Sequence, residues 1–218
     1  MNLSSIFSSV IRFFFPYECL GCGTEDALLC KKCVQKLQPD IHRLSTKAPY
    51  LQKIWVMGDY HMPIMEQSIR ALKFSYAQEV VDDMYPFFRR CFANISLPKN
   101  SVLCPVPLHF FRKNTRGFNQ AECIARACSR VTGLPVLPLL RRHKHTIPQT
   151  QLSGEQRRKN LKNAFSLQKN ASVDRHTPIV LVDDVTTTFS TLTECARTLK
   201  KNGYTTVLAL VVARSMGK

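Results

Sequence analysis

Acidic side chains are scarce in this chain. Only 15 Asp and Glu stand against 31 Lys and Arg over 218 residues, giving a formal net charge of +16 and a pI near 9.7. That shortage excludes the balanced surface of an ordinary soluble domain and points to a polyanionic partner: nucleic acid, an acidic membrane surface or phosphorylated metabolites. A second absence is an apolar run long enough to span a bilayer. The first fifteen residues, MNLSSIFSSVIRFFF, are apolar, yet no basic segment precedes them, Arg12 interrupts them and no small-residue cleavage site follows, which argues against a secretory signal. An even cysteine count is also lacking. Nine cysteines, four of them in two C-x-x-C pairs, fit a reducing compartment better than a disulfide framework and predict a cytoplasmic protein. Internal repeats and low-complexity tracts are absent as well, which leaves a globular chain.

The hydrophobic content of 44% supports one medium domain with a small appended module, divided as residues 1–40 and 50–218. Ile6, Phe7, Val10, Ile11 and Phe14 fall at helical spacing, predicting a short amphipathic helix packed on the body, with peripheral contact at the inner membrane as the alternative. Next come Cys19, Cys22, Cys30 and Cys33. Two C-x-x-C pairs separated by seven residues suit two tight turns that each offer a pair of thiolates to a tetrahedral zinc. The other readings are a redox dithiol, normally a single C-x-x-C, or four unrelated thiols. With all four positions taken by protein ligands, a zinc here would be structural. Cys91, Cys104, Cys123, Cys128 and Cys195 read as small buried hydrophobes.

Beyond a linker with Pro39, Ser45, Thr46 and Pro49, the pattern predicts a strand over 54–60, a helix over 63–76 and a helix over 78–92 that Pro86 kinks or splits. Residues 101–107 read as a buried strand, followed by a basic loop and a helix from Asn119 that Gly133 stops. Further expectations are a strand over 136–140, a helix over 153–165 capped by Ser153, a helix to Asn202 and a buried strand over 205–213. Strands alternating with helices, two of them continuously apolar, predict an α/β fold with a mostly parallel, doubly wound sheet.

The chemistry concentrates in PIVLVDDVTTTFSTL, residues 178–192. Apolar Ile179 to Val182 form a strand buried on both faces, and Asp183 and Asp184 stand at its end. A run of hydroxyls follows, Thr186, Thr187, Thr188, Ser190 and Thr191, with Ser190 or Thr191 as the expected helix N-cap. Hydroxyls and free amides at a helix start suit a phosphate, and paired acids suit sugar hydroxyls or a magnesium ion. The bland alternative for the acids is capping and solvation.

DDVTTTFST resembles the signature of the type I phosphoribosyltransferases, in which a buried strand ends in two acids and a Thr-Thr-Gly-x-Thr loop. The resemblance implies that Asp183 and Asp184 face the ribose of phosphoribosyl pyrophosphate, with Asp184 as the candidate catalytic residue. It also implies that Thr187, Thr188, Ser190 and Thr191 hold the 5'-phosphate, with Mg2+ as cofactor. One position departs: Phe189 stands where the pattern has Gly, and a bulky residue resists the positive φ that a glycine there allows.

A second resemblance rests on four blocks in order: FPYECLGCG with LLCKKC, PVPLHFFRKNTRGFNQAECIA, the spaced Gln149, Arg157, Asn160, Ala164 and Phe165, and the acidic motif. Together they are similar to the ComF family of competence proteins, in its ComFC branch. That resemblance implies a zinc-bearing module on a phosphoribosyltransferase-like domain, acting in the cytoplasm on single-stranded DNA during natural transformation, with a competence helicase as partner. Arg116 and Gly117 match the family block and join the ligand-binding candidates.

Between Phe111 and Lys162 twelve Lys and Arg face two Glu. Arg112, Lys113, Arg116, Arg141, Arg142, Lys144, Arg157 and Arg158 are the candidates for tracking DNA phosphates, with Phe110, Phe111 and Phe118 as stacking surfaces. A solvated face is the plain alternative for the charge, and core packing for Phe118. Three functions stay open: a DNA-handling competence protein with a ribose and phosphate pocket, an active Mg-dependent phosphoribosyltransferase, and an adaptor with a vestigial pocket.

Overall fold

The computed structural model describes residues 17–25, 27–44, 48–72, 77–108, 117–143, 161–169 and 173–215. Among the described residues the helices are α1 (Lys31–Lys36), α2 (Pro63–Ala71), α3 (Ala77–Asp83), α4 (Tyr85–Phe92), α5 (Gln120–Thr132) and α6 (Ser190–Lys201). The strands are β1 (His42–Leu44), β2 (Ile54–Asp59), β3 (Val102–Pro105), β4 (Leu140–Arg142), β5 (Phe165–Leu167), β6 (Ile179–Thr186) and β7 (Val207–Arg214).

Five strands form the main sheet in the order β1-β2-β7-β6-β3. β2, β7, β6 and β3 run parallel, and β1 adds an antiparallel edge. Ile179 to Val182 and Val207 to Ala213 are buried throughout, as expected of central parallel strands covered on both sides. Alternation along these strands sorts the core into two layers. Met57, Leu103, Val180, Val182, Leu210 and Val212 pack under α2 to α5. Val56, Cys104, Leu181, Ala209 and Val211 pack under α6 and the small β4-β5 sheet. The predicted α/β architecture is therefore the one observed.

Several local expectations give way. The stretch read as a linker contains β1, whose His42 pairs with Val56; a three-residue polar strand leaves no periodic signal. The helix expected over 63–76 ends at Ala71. The helix over 78–92 does divide as Pro86 predicts: the break falls at Met84, and Pro86 sits in the first turn of α4, where its missing N–H costs nothing. Instead of a strand over 136–140 there is an isolated bridge from Val136 to Leu103. Pro135 and Pro138 interrupt the ladder donors there, and pairing resumes only at Leu140, antiparallel to β5. Ala164 and Phe165 do not end a helix: Asn163 turns the chain at φ 56°, and Phe165 begins β5. β7 runs from Val207 to Arg214 rather than over 205–213. Ser153 and the N-terminal amphipathic segment lie outside the described residues.

Candidate functional site

The sulfur atoms of Cys19, Cys22, Cys30 and Cys33 all lie within 4.8 Å of one another. Cys22 Sγ and Cys30 Sγ are 3.6 Å apart, close to the ~3.8 Å edge of a tetrahedron with zinc–sulfur bonds of about 2.3 Å. Local backbone produces this convergence. The amides of Cys22 and Gly23 both donate to Cys19 O, and those of Cys33 and Val34 to Cys30 O, so each C-x-x-C closes its own turn. Cys30 N donates to Cys19 Sγ at 3.3 Å, as outer-shell amides do for metal thiolates. Gly21 admits the second pair, since a Cβ there would stand 2.8 Å from Cys33 Sγ.

Crowding splits the acidities of these thiols. Cys22 is drawn down to about 6 by the Thr24 hydroxyl, 3.1 Å away, whereas burial, followed by the neighbouring thiols, pushes Cys33 up to about 12. Four converging thiols, two of them, Cys19 and Cys22, of lowered pKa, fit a closed, four-coordinate metal site. Two side chains seat this module on the domain. Leu29 N donates to Asp83 Oδ2 at 2.9 Å, and Arg90 Nη2 donates to Val34 O and Leu37 O at 2.8 and 2.9 Å. Leu28, Leu29, Val34 and Leu37 enter the core layer of α2 to α5.

The second constellation stands at the end of the sheet. β3 pairs with β6 only as far as Val182, so Asp183 is the first residue of β6 beyond that partner. Ligands bind at such strand ends in open parallel sheets. Asp183 and Asp184 are half-buried. Asp184 N donates to Asp183 Oδ1 at 3.0 Å, and Val185 N to Asp184 Oδ1 at 2.7 Å. Burial first, then the Asp184 charge, raises the Asp183 carboxyl well above the usual range, while Arg142 pulls it down. Thr188 Oγ1 and Ser190 Oγ lie 2.8 Å apart in the loop, and Thr187 and Thr188 are exposed.

The cap of α6 differs from expectation. Neither Ser190 nor Thr191 occupies it; Phe189 does, at φ 58° and ψ 8°, and Thr193 N donates to its carbonyl. Phenylalanine has therefore taken the left-handed geometry expected of glycine.

The remaining candidates fall in different places. Arg112, Lys113, Arg116, Lys144, Arg157 and Arg158 lie outside the described residues, as do Phe110 and Phe111. Arg141 is exposed on β4, and its Nε donates to Ser166 Oγ at 3.0 Å. Arg142 turns inward over the Phe165 ring, 5.6 Å from its centroid. Gly117 is exposed with φ 77°. Asn119 and Gln120 are buried; Asn119 caps α5 through Ala121 N and donates to Val106 O at 3.1 Å. Phe118 packs against the core. Cys91, Cys104, Cys128 and Cys195 are buried and Cys123 is half-buried; burial pushes the Cys91 and Cys104 thiols up to about 12.

Sequence reading missed Asp83, Arg90 and Arg214. The first two act across more than fifty residues of chain, which no local pattern carries. Arg214 did leave a signal, a single cation closing an apolar parallel strand at its ligand-facing end.

The sequence has relatives among known proteins. The chain is 33% identical over 208 residues to competence protein F of Haemophilus influenzae, covering 92% of this chain and 86% of that protein. The chain belongs to the competence protein F family. Members of that family among its relatives include the DNA utilization protein YhgH of Escherichia coli K12, 33% identical over 91% of this chain and 84% of that protein. Competence protein ComFC of Bacillus subtilis is 29% identical over 64% of this chain and 55% of that protein. No protein-family model matches the chain. In this competence protein F family member no helix among the described residues is long and apolar enough to cross a membrane.

Proposed function

We propose that this protein handles incoming single-stranded DNA during natural transformation, on a type I phosphoribosyltransferase-like domain stapled to a zinc module. The observation that carries the reading is the similarity, over nine-tenths of the chain, to relatives named for competence and DNA utilization. The excess of positive charge supplies the attraction to a polyanion. Zinc bound by Cys19, Cys22, Cys30 and Cys33 is structural, because four thiolates leave no open position. Asp183 and Asp184, in the part of β6 beyond its pairing with β3, hold ribose hydroxyls, and the hydroxyls of Thr187, Thr188, Ser190 and Thr191 hold its phosphate. The protein works in the cytoplasm beside a competence helicase.

Titration of a labelled single strand tests this directly. Binding at low salt, falling steeply as salt rises and weakened by neutralising Arg141, Arg142 and Lys144, is the expected result; no binding at low salt overturns it. Transformation of a deletion strain, scored separately for DNA import and for integration, places the step. Retained transformation with Asp183 and Asp184 both changed to Asn, but lost without the cysteine module, would make the protein an adaptor with a vestigial pocket.

One observation favours a second reading, an active Mg-dependent phosphoribosyltransferase. Phe189 already holds the left-handed backbone conformation that glycine supplies in the signature loop, which supports a loop shaped for ligand. Pyrophosphate release with an acceptor base, abolished in Asp184→Asn, would establish catalysis.

A further inference from the structure

A left-handed φ strains a bulky L-residue, whereas glycine adopts it freely. The Phe189 ring has two partners in the structure. It packs half-buried against the core layer of α6, and the guanidinium of Arg214 lies over the ring, with Cζ 5.1 Å from its centroid. That separation is the cation–π range.

Arg214 is fixed from behind by the sheet. It ends β7 in register with Thr186, the residue that leads into the hydroxyl loop. Ser215 N donates to Thr186 O at 2.9 Å and Tyr60 N to Arg214 O at 3.2 Å. The backbone therefore delivers the guanidinium to the mouth of the loop. Among the described residues its buried Nε has no hydrogen-bond partner, and no carboxylate forms an ion pair with it. A buried N–H without an acceptor is costly. A planar guanidinium is also the side chain best matched to a phosphate, which it grips with two parallel bonds.

We propose that Arg214, clamped by the Phe189 ring, is a phosphate-binding residue that completes the hydroxyl loop for a phosphorylated ribose. The inference rests on the ribose and phosphate pocket and adds to it a residue from a second strand. It also explains the substitution. Phenylalanine replaces the backbone freedom of glycine with a platform for a cation, so the loop loses flexibility and gains a charge.

The experiment is calorimetry on the full-length, zinc-loaded protein with Mg2+, using ribose 5-phosphate and phosphoribosyl pyrophosphate as probes. The wild type is expected to bind both. Arg214→Gln should lose tenfold or more in affinity for each, with a cooperative melting transition showing that the ligand-free variant is folded. Arg214→Lys, which keeps the charge but not the fork, should be several-fold weaker than wild type; it keeps the test readable if the glutamine variant folds poorly. Phe189→Leu and Phe189→Gly should both weaken binding, since each removes the platform. Arg214→Gln binding as tightly as wild type would overturn the arginine assignment and leave the pocket standing. Tighter binding by Phe189→Gly would overturn the clamp. A wild type that binds neither probe would overturn the pocket itself, and this inference with it.

Discussion

The carboxylate of Asp83, at the end of α3, accepts the backbone amide of Leu29 at 2.9 Å, and so pins the segment between the two cysteine pairs to the body of the protein. Arg90, one helix further on, holds the carbonyls of Val34 and Leu37 at the end of α1. The module is too small to have a core of its own and depends on such attachments.

Asp83→Ala should therefore destabilise the protein by about 1–3 kcal/mol, because it leaves the partly buried Leu29 amide without an acceptor. Urea unfolding of the wild type and the variant measures this. Zinc should also dissociate faster from the variant, since the second cysteine pair loses its anchor.

Metal removal gives a sharper outcome. The intact protein should release one zinc per chain to a chromophoric chelator, and Cys19→Ser or Cys33→Ser should hold substoichiometric metal. Stripping the metal leaves the buried Cys19 and Cys33 thiols without their shared partner, and the loss of stability should be several kcal/mol, in line with structural zinc sites. The metal affinity should fall as pH is lowered, because protons compete for the thiolates, and most steeply below about 6, where even Cys22 takes up a proton.

How much of this was legible in the sequence depends on how local the cause is. Ile179 to Val182 and Val207 to Ala213 announce buried strands because burial on both faces demands unbroken apolar runs. The cysteine cluster is legible because each C-x-x-C turn closes on itself. β1 and β4 are too short and polar to stand out, and the prolines at 135 and 138 hide where the ladder resumes. The conformation of Phe189 escapes a local reading for a different reason. Its ring meets Arg214, twenty-five residues on, and the core beneath it, contacts that a preference for glycine read from one position does not carry.

The Arg197–Glu194 pair on α6 carries a further prediction. Arg197 donates to Glu194 and to Asn163 Oδ1, and Glu194 Oε1 accepts Asn163 N at 2.7 Å, which fixes the turn before β5. The two side chains are only 16% and 11% exposed. Arg197→Met leaves the Glu194 charge buried and should cost about 3 kcal/mol, whereas Glu194→Gln with Arg197→Met together should cost less. Denaturant midpoints of the two singles and the double form the cycle that decides it.

Asp183 carries a pH signature whose sign follows from its surroundings. Burial, then the charge of Asp184, raises its carboxyl above the ordinary value of 3.8, so the folded state holds this proton more tightly than the unfolded chain. The stabilising contribution is complete below that ordinary value and is lost as pH climbs through the raised one; beyond it the ionised carboxylate weighs against the fold. Asparagine mimics the protonated acid and does not titrate. Asp183→Asn should therefore match the wild type near pH 3.5 and exceed it at pH 7–8 by about 1 kcal/mol, or ~2–4 °C in melting temperature. Arg142→Met removes the cation that pulls the carboxyl down, so in that background the advantage of asparagine at neutral pH should widen. Melting curves from pH 3.5 to 8 for the wild type, both singles and the double measure the effect. A gain that is the same at every pH would mean that the asparagine side chain packs better and that the buried charge plays no part.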